Sequence, residues 1–254
     1  MSMDETTEEK LPLTAHLEEL KKRLIRSLIG IGIGLFACYY YKEWLFKIIT
    51  KPLMDVMPKN SFMVFTSLPE AFFTYLKISF FASLFLTAPF TLYQIWKFIS
   101  PGLYAREKKY VAPFVLTSSL LFIGGVVFGY YLALPPAFGF FMEFSSDMLR
   151  PMFTMREYLS FALKLLLAFG VSFELPVFIF FMTKLGIVNS RMMSRQRRYA
   201  ILIIFIAAAF LTPSPDAFTQ IIMAVPLMIL YELSIYVAKF AERKKKEDAE
   251  EVAA

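Results

Sequence analysis

Side chains able to do chemistry are few in this chain, and acids account for most of them. Glu107 stands in "PGLYAREKK" (101–109), one carboxylate among Arg106, Lys108 and Lys109. Glu19 lies in "LPLTAHLEELKKRL" (11–24), four residues before Arg23, and Glu174 interrupts an apolar run in "FGVSFELPVF". A carboxylate among cations stays ionised. It presents two oxygens that fit the planar fork of a guanidinium, whereas an ammonium is only a point charge. An ionised acid inside an apolar span is costly unless sheltered. Glu174 therefore reads either as a protonated or internally paired structural acid, or as a polar spot in a cavity or on a partner-facing surface. Pro176, two residues on, can bend a helix there and free a backbone carbonyl.

Other chemistries find no support. His16 is the only histidine and Cys38 the only cysteine, which argues against a metal site, a Cys-His nucleophile or an internal disulfide. No GxxxxGK[ST] phosphate loop occurs, so the chain is not its own ATPase. Gly30, Gly32 and Gly34 form a GxGxG without the strand–helix context of a dinucleotide site. With Gly125 and Gly129 they read as small-residue helix contacts. Lys77 and Lys164 sit near span ends and can snorkel, while Glu232 and Arg26 suit structural pairing.

These groups must be positioned by helices in a membrane. The chain has 254 residues, of which 57% are hydrophobic, 19% are charged and 29 are Phe. Its mean hydropathy is +0.56. An isoelectric point near 9.2 would also suit nucleic acid, but the bases fall in short clusters between apolar runs, the pattern of topology signals. A crossing helix needs ~20 residues. Such runs predict an all-α polytopic membrane protein with six transmembrane helices near 24–41, 72–96, 110–134, 158–184, 199–212 and 217–238. They form one membrane domain over 1–240. The fifth span is short for a bilayer.

Of the 27 Lys and Arg, nineteen fall on the side holding both termini, which places the termini in the cytoplasm. Leu13, Leu17, Leu20 and Leu24 share one helical face, predicting an interfacial helix over about 13–23. The acidic "MSMDETTEEK" does not resemble a cleavable signal. Residues 42–71 and 135–157 read as long outer loops capping the bundle, "PSPDAF" as a tight turn, and 241–254 as a charged, disordered cytoplasmic tail.

Four segments in this order, "HLEELKKRL" (16–24), "YQIWKFISPGLYAREKK" (93–109), "FGVSFELP" (169–176) and "TPSPDAFTQ" (212–220), resemble the signatures of the TatC family. TatC is the six-span receptor subunit of the twin-arginine protein translocase of the bacterial cytoplasmic (inner) membrane. The resemblance runs from about Leu13 to Phe240. It implies a cupped bundle of six tilted helices and no enzymatic activity or cofactor. The implied partners are twin-arginine signal peptides of folded cargo, the small subunits TatA and TatB, other TatC copies and the lipid bilayer. Transport draws on the proton-motive force.

Carried over by motif, Glu19 and Glu107 become the acceptors for a signal peptide's arginines, with Lys21, Arg23, Phe98, Pro101, Leu103 and Tyr104 framing the site. Glu174 matches the family's intramembrane acid. Pro52, in "KPL", matches its first outer-loop proline. Asp216 and Gln220 match the outer turn and the start of span six, where small-subunit helices pack. Three departures stand out: Lys21 replaces a frequent Arg, "REKK" lacks a frequent His, and "TPSPD" is one residue longer than the usual turn. A secondary transporter centred on Glu174 is the competing reading, but no half-repeat is visible. An intramembrane enzyme would need clustered His, Asp or Ser in the spans, which are missing.

Overall fold

The computed structural model describes residues 13–57, 63–99, 111–144, 152–211 and 216–253. Those residues form helices almost throughout, joined by short connections. In order these are α1 (Leu13–Tyr40), α2 (Lys42–Val56), α3 (Glu70–Leu86), α4 (Ala88–Ile99), α5 (Val111–Phe128) and α6 (Leu134–Glu143), then α7 (Met155–Phe173), α8 (Leu175–Lys184), α9 (Ser190–Arg195), α10 (Arg197–Leu211) and α11 (Ala217–Ala253).

Four stretches are long and apolar enough to cross a membrane: His16–Tyr40, Ala112–Glu143, Met155–Lys184 and Ala217–Arg243. The α3–α4 pair makes a fifth if its two helices count as one span bent by 56°. The bend has a local cause. Pro89 has no N–H to donate to the Phe85 carbonyl one turn back, and just before it the Thr87 N–H and hydroxyl both donate to the Ser83 carbonyl, each at 2.8 Å. α10 spans 15 residues, about 22 Å of helix, shorter than a typical hydrocarbon core of ~30 Å. Large apolar side chains lie open on the outside, Phe36 at 82% and Phe210 at 84% exposure. Such a surface belongs in lipid.

Close packing rests on small residues. A Cβ on Gly125 would come within 2.5 Å of the Phe169 carbonyl oxygen, so α5 and α7 can touch only through glycine there. Gly129 and Gly170 serve the same contact, and Gly30 and Gly34 bring α1 against α3 and α4. Gly32 faces open space and takes no part. Phe169, Leu159 and Leu165, all on α7, are almost wholly buried, which makes α7 the centre of the core.

Four segments differ from the sequence expectation. The interfacial stretch 13–23 is not a separate helix but the first turns of α1. The 42–71 loop contains α2, whose buried Pro52 sits inside the helix. The third span continues past 134 through a π-helical turn, Gly129–Ala133, into α6, where Pro135 and Pro136 fit the first turn. The tail is helical to Ala253, because Ala, Glu and Lys are strong helix formers.

Candidate functional site

The N-terminal turns of α1 and the end of α4 meet through His16 and Phe98, whose rings stack with centroids 4.4 Å apart. This contact holds Phe98 against His16, three residues before Glu19 on α1. Glu18, Glu19, Lys22, Arg23 and Arg26 line a depression of about 380 Å³ on that helix. Lys21 is exposed and does not line it, since it lies on the opposite face at 100° per residue. The structure thus groups Glu19 and Arg23, seats Phe98 on His16 and leaves Lys21 apart. Pro101, Leu103, Tyr104 and Glu107 lie outside the described residues.

Glu19 is already engaged. Arg23 Nε donates to its Oε1 at 2.9 Å, and Nη2 donates to the same oxygen. The pair is largely sheltered, with side-chain exposures of 27% for Glu19 and 11% for Arg23. Because both bonds converge on one oxygen, Oε2 has no partner among the described residues, and neither does the buried Arg23 Nη1. The neighbouring Glu18–Lys22 pair, at 2.9 Å, is about two-thirds exposed. Screening by water leaves such a pair worth little. Chemically, the depression offers one half-used carboxylate in a basic rim, an arrangement suited to a second guanidinium.

Glu174 closes α7 and opens α8, at the break imposed by Pro176. Its Oε1 is buried without a hydrogen-bond partner among the described residues. The Ser118 hydroxyl neighbours its carboxyl and accepts from Trp96 Nε1 at 2.8 Å. A polar spot therefore exists here, walled by Trp96, Phe114 and Phe181.

The remaining sequence candidates make contacts within the fold. Asp216 caps α11, accepting from Thr219 N at 2.8 Å and from the Thr219 hydroxyl. Gln220 Nε2 donates to the Phe205 carbonyl at 2.8 Å and ties α11 to α10. Glu232 binds Arg197 at 2.8 Å.

Sequence reasoning missed Glu70, a buried acid that is only 6% exposed. Its Oε2 accepts from Thr66 N at 2.6 Å, Thr66 Oγ1 at 2.9 Å and Ser67 N at 3.3 Å. Its Oε1 accepts from Arg156 N at 3.1 Å. Beside it Val64 and Thr154 form an isolated parallel bridge, so the two connections 63–69 and 152–154 are clasped together. The signal was present: Ser67-Leu-Pro-Glu70 has the spacing of a capping box.

A family profile for "Sec-independent protein translocase protein (TatC)" matches residues 15–226. The TatC of Desulforapulum autotrophicum is 50% identical over 246 residues, covering 97% of this chain and 91% of that one. The chain belongs to the TatC family. The Escherichia coli TatC is 36% identical over 235 residues, covering 92% and 91% of the two chains. A crystal structure of the twin-arginine translocase receptor TatC superposes with a TM-score of 0.81 at 37% identity. It covers 89% of this chain and 99% of that one. This TatC is accordingly a helical membrane protein of Sec-independent protein translocation, a transport subunit and not an enzyme. Among the described residues no group of three potential metal ligands occurs.

Proposed function

We propose that this TatC is the receptor for twin-arginine signal peptides and that Glu19 is one of its two arginine acceptors. The half-used carboxylate carries this reading: Arg23 takes one oxygen of Glu19, and the other faces a depression of about 380 Å³ with no described partner. An incoming guanidinium can bond Oε2 without displacing Arg23. The basic rim repels cations that lack this geometry. Glu107 supplies the second acceptor, and Phe98, Pro101, Leu103 and Tyr104 supply the apolar and turn frame. The superposed crystal structure is that of a twin-arginine translocase receptor, which favours the same reading.

The bundle lies in the bacterial cytoplasmic membrane with six crossings, α10 being the short one, and with both termini in the cytoplasm. The excess of Lys and Arg on that side supports the orientation. It organises TatA, TatB and further TatC copies for transport driven by the proton-motive force. Glu174 and Gln220 are the polar groups offered to those partners.

Equilibrium binding of a fluorescent twin-arginine signal peptide to the purified protein tests the receptor reading. The twin-arginine form should bind at least about tenfold more tightly than its twin-lysine variant, the difference expected for losing one charged hydrogen bond. Equal affinity of the two peptides would overturn it.

A further inference from the structure

At the end of the bundle where Glu70 clasps the two connections, α3 and α7 face each other with matching polar stripes. Glu70, Thr74 and Lys77 recur along α3 at i, i+4 and i+7. Arg156, Ser160 and Lys164 recur along α7 at i, i+4 and i+8. Such spacing places each set on one helical face. Between them lies a cavity of about 360 Å³ whose polar lining includes Ser67, Glu70, Thr74, Lys77, Arg156 and Ser160.

The charge in this cavity is unbalanced. Lys77 Nζ donates to Ser160 Oγ at 2.8 Å, and Lys164 and Arg156 oppose its charge from nearby. Among the described residues no carboxylate pairs with any of the three. Glu70 is the one acid in the lining, and both its oxygens are taken by Thr66, Ser67 and the Arg156 backbone. Lys77 lies seven residues beyond Glu70, ~10 Å along the helix, near the span end where a basic side chain meets lipid headgroups. Ser160, having accepted from Lys77, keeps its own O–H to donate. Two ammonium N–H bonds and the exposed Arg156 fork complete a donor set for a tetrahedral anion.

We propose that this cavity binds a phosphate group, and that its source is the headgroup of an anionic phospholipid. Basic pockets between membrane helices at headgroup depth hold lipid phosphates in this way. Phe73 lines the cavity, and with Phe72 and Leu76 it gives α3 exposed apolar side chains beside it. Acyl chains would lie along these once the headgroup is seated.

Native mass spectrometry of the full-length protein in a neutral detergent tests this, using dioleoyl phosphatidylglycerol, dioleoyl phosphatidylcholine and inorganic phosphate as probes. The wild type should retain phosphatidylglycerol at least about tenfold more tightly than phosphatidylcholine, and Lys77→Gln should abolish that preference. Lys77→Arg should restore it. Arg156→Gln changes only an exposed side chain and leaves the backbone bond to Glu70, so it serves even if Lys77→Gln misfolds. It should weaken retention severalfold. Displacement of the lipid by millimolar inorganic phosphate would support the anion site but assign it a soluble ligand. Equal retention of the two lipids, or retention unchanged in both Gln variants, would overturn the proposal.

Discussion

Arg23 directs two guanidinium donors at a single oxygen of Glu19 and keeps a third, Nη1, buried without a partner. The pair is thus an oriented carboxylate with one oxygen in reserve rather than a closed fork-to-fork bridge. In the proposed receptor site, Arg23 would act on a ligand only through Glu19, as a positioning residue.

Replacing Arg23 should separate position from charge. Arg23→Lys keeps the charge but loses the two-point grip on Oε1. It should weaken signal-peptide binding about threefold to tenfold, measured by fluorescence anisotropy, with thermal stability nearly unchanged. Wild-type affinity in this variant would show that Glu19 needs no orienting partner.

Glu70 should matter to stability and not to peptide binding. Its carboxylate accepts four hydrogen bonds from two connections and is buried. Glu70→Ala leaves those donors unpaired, at a cost of about 3 kcal/mol given the penalty for each stranded buried group. Thermal unfolding in detergent should show a midpoint lowered by several degrees. An unchanged midpoint would mean the clasp is held by the Val64–Thr154 bridge alone.

The glycines should divide cleanly. Gly125→Ala forces a methyl against the Phe169 carbonyl, where neither backbone can yield, and should destabilise by about 2 kcal/mol or more. Gly32→Ala meets nothing within 4 Å and should be neutral or slightly stabilising, since Ala is the better helix former. Paired unfolding curves of the two variants check this. Similar losses in both would contradict the packing described.

Glu174→Gln should leave the fold intact. The buried Oε1 has no partner to lose, and an amide keeps the shape, so stability should change by less than about 1 kcal/mol. Export of a twin-arginine substrate in cells should nevertheless fall if the acid serves a partner. Full export with Gln in place would reduce Glu174 to a structural residue.

Much of this architecture could be read from the chain, but unevenly. Apolar length alone located the cores of α1, α5, α7–α8 and α11, because lipid demands about 20 continuous apolar residues whatever the neighbours do. The bend between α3 and α4 escaped that reading, since hydropathy is blind to the missing N–H of Pro89. α2 escaped because an amphipathic helix lying over the bundle end looks, by hydropathy, like an apolar loop. At the candidate site, the i, i+4 spacing of Glu19 and Arg23 announced a pair. Only the three-dimensional arrangement shows that the pair leaves an oxygen unused. Lys21 illustrates the converse, because the family motif placed it at the site and helical phase turns it away from Glu19 and Arg23.

The most direct test of the receptor account is a double-mutant cycle between Glu19→Gln in the protein and Arg→Lys at the twin arginines of the peptide. Four affinities are measured under one buffer and detergent condition. If Glu19 grips a signal-peptide arginine, the two changes should be non-additive, with a coupling of about 1 kcal/mol or more. If their effects add within about 0.5 kcal/mol, Glu19 does not meet the arginines, and its bond to Arg23 is structural.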